Sequence, residues 1–180
     1  VQGGSGTVAV DGSSVGFVIV DASPEGLCGI PPEDWAERVS PILAGDWIVE
    51  NGPGTGSIGG LTRQLPPEPS SPAVIDADSR DLTMSTPDYT ITLAADFAAS
   101  DDWGPVPDTV AAAAADVDCA GADLPRLAFT GSVPVRDTTL DMTMRFYLLS
   151  EDLMMGTGLW QMSSQGVAME GRRLMTMRRQ

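Results

Sequence analysis

From position 139 onward, apolar and polar residues alternate. Leu140, Met142, Met144, Phe146 and Leu148 take every second place, with Asp141, Thr143, Arg145 and Tyr147 between them. A period of two puts these sets on opposite faces of an extended chain, so the run predicts a half-buried strand. Ser150-Glu151-Asp152 breaks the pattern. The next run carries Leu153, Met155 and Leu159 on one parity and Met154, Trp160 and Met162 on the other. Ser163-Ser164-Gln165-Gly166 turns the chain again, and a third run aligns Val167, Met169, Met175 and Met177. Three strands of about ten residues, each spanning roughly 30 Å, predict an antiparallel meander from Thr139 to Arg179.

Earlier in the chain the signals are shorter. Thr7 to Val10 and Val15 to Val20 flank Asp11-Gly12, which supplies the positive φ angles of a tight hairpin turn. Pro31-Pro32-Glu33-Asp34 before Trp35, Val39 and Ile42 predicts one or two helical turns, limited by Pro41. Leu43 to Glu50 reads as a strand, whereas the glycines and Pro53 of 51–60 leave either a loop or a bulged strand open. Leu61 to Leu65 could pair briefly. The prolines from Pro66 to Pro72 predict an extended, solvated loop. Short strands are expected over Ala73–Ile75, Asp81–Met84 and Tyr89–Ala95. Asp108 is placed to cap an alanine-rich helix over Thr109–Asp116. Leu127 to Val135 returns to β structure, with Pro134 at an edge or strand end. The fold class is therefore mainly β: an antiparallel up-and-down barrel or sandwich of about 7–9 strands with one or two short helices. Residues 1–24 form an arm and hairpin, and 25–180 a single barrel-like domain.

Charge narrows the choice of partner. Twenty-five acidic residues oppose ten arginines, for a net charge of −15, a field that repels nucleic acid and anionic head groups. No apolar run reaches the ~18 residues of a membrane span. The sequence begins Val-Gln-Gly-Gly, as a processed or a shortened chain would. Cys28 and Cys119 lack metal-motif or Cys-x-x-Cys spacing, which leaves a disulfide or two buried thiols. The disulfide is the preferred reading and would place the protein in the periplasm or outside the cell.

The residue inventory also limits chemistry. Without histidine there is no Ser-His or Cys-His pair and no imidazole ligand; without lysine there is no Schiff base or Ser-Lys dyad. Carboxylates cluster at Asp76, Asp78 and Asp81, at Asp101 and Asp102, and at Asp116 and Asp118. The first group resembles a calcium loop in its alternating acids, but lacks the glycine and terminal glutamate of an EF-hand, and solvated turn acids are the simpler reading. A two-carboxylate enzyme would need facing acids with one pKa raised, which spacing does not reveal. Gly52-Pro-Gly54-Thr-Gly56 is not followed by a helix, so it fails the dinucleotide context. The methionines of the meander are either an adaptable core or the lining of an apolar groove.

Leu43-Ala44-Gly45-Asp46-Trp47, after a short helical segment, resembles the Gly-x-Trp signature that opens the first barrel strand of the lipocalins and related calycins. The resemblance implies an up-and-down barrel in which an arginine near the chain's end packs over the tryptophan. Arg172 or Arg173 is the expected partner of Trp47. It also implies binding of a small apolar molecule or, as in calycin-type inhibitors, of a protease. The Pro-rich stretch, the alanine helix and the N-terminal hairpin depart from the family's pattern. The expected function is that of a non-enzymatic extracytoplasmic binding protein without a metal or cofactor. Trp47, Met142, Met144, Phe146, Met155, Trp160 and Met169 are the candidate lining. The alternative is an accessory subunit of an envelope or surface assembly, whose arm and hairpin add to a protein partner. Oligomeric state is not legible.

Overall fold

The computed structural model describes residues 6–10, 13–17, 26–86, 89–97, 103–164 and 166–180. Residues 6–10 and 13–17 are described by backbone: β1 (Gly6–Val10) pairs antiparallel with β2 (Ser13–Phe17), Gly6 opposite Phe17. The expected turn at Asp11-Gly12, the continuation over 18–20, and the acids Asp101 and Asp102 lie outside the described residues.

The next described segment closes one end of a barrel. A 3-10 turn leads into α1 (Trp35–Arg38) and α2 (Ser40–Leu43). Ile30, Trp35, Val39 and Leu43 join the barrel's interior in a single buried cluster. Trp35 Nε1 donates to Ile30 O at 2.7 Å, which satisfies the one polar atom of a buried indole.

Nine strands follow: β3 (Gly45–Ile58), β4 (Leu61–Leu65), β5 (Glu68–Ile75), β6 (Leu82–Ser85), β7 (Thr90–Asp96), β8 (Arg126–Val135), β9 (Thr138–Ser150), β10 (Leu153–Ser164) and β11 (Val167–Arg179). All neighbours are antiparallel, and β11 pairs back onto β3, so eight strands close into a barrel. β4 is an additional strand, paired with the far half of β3. α3 (Asp108–Ala115) lies outside the barrel. Its Val110 and Ala114 form a second buried cluster with Trp103, Cys119, Leu124 and the outward-facing Tyr147 and Leu149 of β9. The disulfide Cys28–Cys119 links the end-closing segment to this outer layer.

The meander is present with the expected faces, although its strands are longer than ten residues. Two local expectations are corrected, and one open alternative is decided. The solvated Pro-rich loop shrinks to Pro66-Pro67, and β5 begins at Glu68 with Pro69 and Pro72 inside it. Among the described residues β5 pairs with β6 only through 73–75, so 68–72 have an open edge where a missing N–H is tolerated. Residues 51–58 are strand rather than loop, and the irregularity between Val49 and Asn51 absorbs the glycine-rich stretch. Asp108 is the first residue of α3 and makes no side-chain cap; Pro107 occupies the cap position. Its charge still complements the helix N-terminus.

Strand length sets the barrel's shape. β5, β6 and β7 have 8, 4 and 7 residues, against 14 in β3 and 10 to 13 in β8 through β11. β7 pairs with β8 through 94–96 and 128–130, and Gly131 still lies against Thr92 and Leu93. One wall of the barrel therefore overhangs the other at the end opposite α1 and α2.

Candidate functional site

The lower barrel is solid. Trp47, Val49, Leu82, Leu93, Phe129, Met144, Phe146, Met154 and Met177 each have 0% of their surface exposed, so no water-sized void lies against them. Three of the candidate lining residues, Trp47, Met144 and Phe146, are packed here. Arg179, not Arg172 or Arg173, covers Trp47: its guanidinium carbon is 4.7 Å from the indole centroid. Arg179 Nη1 donates to Ala44 O at 2.8 Å and Nη2 donates to Ile42 O, so the last strand is tied to the carbonyls ending α2. Register explains the difference, since Arg179 stands opposite Trp47 whereas Arg172 and Arg173 stand opposite Thr55 and Gly54.

Met155 lies on the outer face, half-buried against the α3 cluster. The remaining candidates converge on the inner face of the overhanging wall. Trp160 stands opposite Met142 on one side and Gly171 on the other; Met162 stands opposite Leu140 and Met169; Met169 stands opposite Ile58. Met142, Trp160, Met162 and Met169 are all half-buried, which makes this the part of the inner face that water reaches. Glycine at 171 is required by the indole: a Cβ there would come within 2.4 Å of the Trp160 ring. At the rim the apolar surface continues outward through Ile58, Leu61 and Val167, which are 40%, 80% and 43% exposed.

One charged side chain sits at the floor of this mouth. The register row Phe129–Met144–Gly158–Arg173–Gly54 runs just below the row of Met142, Trp160 and Gly171. Arg173 is 8% exposed, and its Nη2 donates to Glu68 Oε1 at 2.6 Å across the inner face of β3. Gly54 leaves the room: a Cβ there would lie 2.7 Å from Arg173 Cβ. Arg173 Nη1 is buried without a hydrogen-bond partner among the described residues. Alternation carried a signal for this residue. On the inward parity of β11, Met169, Gly171, Met175 and Met177 are interrupted by one arginine.

The acidic residues are placed differently. Asp76 Oδ1 accepts from Asp78 N, Ser79 N and Ser79 Oγ at 2.9, 2.8 and 3.1 Å, so its oxygen serves the turn itself. The Ser79 N–H first, then the Asp78 N–H and the Ser79 hydroxyl, hold its carboxyl below the ordinary value of 3.8. Asp118 lies just beyond α3 in the left-handed region, with φ 54°. Asp137, Asp141 and Glu170 line, together with Met162 and Met169, a mixed cleft of about 610 Å³ on the wall, beside which Ser132 Oγ donates to Asp141 Oδ1 at 2.5 Å.

The whole is a closed eight-stranded antiparallel barrel, sealed at one end by a helical segment and, among the described residues, open at the other, an arrangement consistent with a lipocalin-like fold. No protein-family model matches the sequence, and no curated protein matches it.

Proposed function

We propose that the chain is an extracytoplasmic, non-enzymatic binding protein of the calycin type that holds a small apolar ligand at the open mouth of its barrel. The observation that carries this reading is the contrast along one face. Below, the side chains are sealed; above, Met142, Trp160, Met162 and Met169 present water-accessible apolar surface on long, regular strands. Unbranched thioethers repack around varied shapes at small cost, which suits a site that must accommodate a guest. The interior at Trp47, Met144 and Phe146 acts as a rigid base for the mouth and does not line it. The disulfide supports a periplasmic or secreted location.

Fluorescence tests it directly. Trp35, Trp47 and Trp103 are buried, so Trp160 is the tryptophan placed to sense a guest. Titration with an uncharged apolar probe should shift or quench the emission of the wild type, and Trp160→Phe should abolish the response while leaving the circular dichroism unchanged. A saturable response that survives in Trp160→Phe would move the site elsewhere.

The rim favours a second reading, an accessory subunit that seats a protein partner on Ile58, Leu61 and Val167. In that case Leu61→Asp would abolish assembly and leave probe binding intact.

A further inference from the structure

The floor of the mouth carries a donor that the fold does not use. Arg173 stands between Gly171 and Met175 on the inner face of β11, crosses β3 over Gly54, and places Nη2 on Glu68 at 2.6 Å while Nη1 is buried without a partner among the described residues. A buried N–H with no acceptor is costly, and a guanidinium is too weakly acidic to escape that cost by losing its proton. The group that completes it would be an acceptor entering from above. Trp160 lies over Gly171, two residues along β11 from Arg173, and Met169 lies four residues along, roughly 13 Å away at strand rise.

Charge decides which acceptor. Glu68 already neutralises Arg173, and the chain as a whole carries −15. Glu68 is 59% exposed while Arg173 is 92% withdrawn from water, so a second carboxylate entering from the mouth would crowd a second negative charge onto the buried guanidinium, whereas a carbonyl oxygen adds none. Resting on the mouth as the binding site, we infer that the ligand is an uncharged acyl ester or amide, its carbonyl accepting from Arg173 Nη1 and its chain lying on Trp160, Met142, Met162 and Met169. Glu68 then acts as the residue that selects the neutral compound over the corresponding free acid.

The test compares a fatty acyl methyl ester with the free acid of the same chain length at pH 8, using calorimetry on the full, disulfide-bonded chain. The ester should bind the wild type at least tenfold more tightly than the acid, and its carbonyl stretch should move to lower wavenumber on binding. Arg173→Met should lower ester affinity about tenfold and abolish the infrared shift, in keeping with the loss of one hydrogen bond to a charged donor. Glu68→Gln should leave the ester within a few-fold of wild type and raise acid affinity about tenfold, a change of preference that a purely structural pair would not produce. If Arg173→Met fails to fold, Arg173→Lys, which keeps the charge but loses the planar fork, should show the same loss of infrared shift. Acid binding equal to or tighter than ester in the wild type, or an unshifted carbonyl, would overturn this assignment while the mouth stands. Silence of Trp160 toward ester, acid and apolar probe alike would overturn both.

Discussion

Arg179 shows how much one side chain can fasten. It stacks on Trp47, donates to two carbonyls at the end of α2 and to Glu151 O, and pairs with Asp152 at 3.3 Å. Arg179→Ala removes the stack and strands partly buried carbonyls, and should lower stability by about 2 kcal/mol. A fall in Tm of about 5 °C by calorimetry is expected for a chain of this size. Arg179→Lys should recover part of it, because an ammonium keeps the charge but cannot fork or stack as a plane. Asp76 provides a pH test. Its folded pKa is depressed, so its contribution is complete above the unfolded value and lost as pH falls through the folded one. Its carboxyl carbon should titrate in NMR below 3.8, and Asp76→Asn should weaken the acid dependence of stability below about pH 4.

Among the elements, the meander was the most legible because period-two alternation reports both strand and face. Met154, Trp160 and Met162 fall together on the inner face as their parity required, and Met155 falls outside with Leu153. Parity does not say how far along a strand the barrel is filled. That depends on the lengths of β5, β6 and β7, so Met144 and Met142, two residues apart, end up sealed and accessible respectively. Pro69 and Pro72 concealed β5 because a proline looks forbidden in a strand paired on both edges, and the open edge becomes visible only with the neighbours in place. Arg173 enters the sequence reading only as a possible partner of Trp47, and nothing local among the methionines of its face marks it as a buried donor. Gly171 tests the element's design. Gly171→Ala should displace the indole, weakening probe binding about tenfold and altering Trp160 emission, while a folded barrel persists by circular dichroism.

For the whole molecule, the Cys28–Cys119 bond joins the end-closing segment to the outer layer across a sequence separation of 91. In the chain-entropy account a loop of that length stabilises by about 4 kcal/mol, and the double Cys→Ser variant should melt about 10 °C lower than wild type. Gly29 N donating to Asp123 O at 2.8 Å keeps the same two segments adjacent, so the variant should retain its β-sheet spectrum at low temperature. The pairing of β3 with β11 was the least legible feature of all, because no local pattern says which strands close a sheet upon itself.

That seam bears on how the protein is made. Residues 47–58 must wait for 169–179 before the last row of backbone hydrogen bonds forms, and such distant partners are slow to meet. A chain in which only the residues up to Ser164 have paired exposes an open sheet, its two lateral margins unsatisfied and its Met-lined surface wet. Such an intermediate is a natural client for a holdase chaperone, and folding is completed only once the residues up to Arg179 are free to pair with β3.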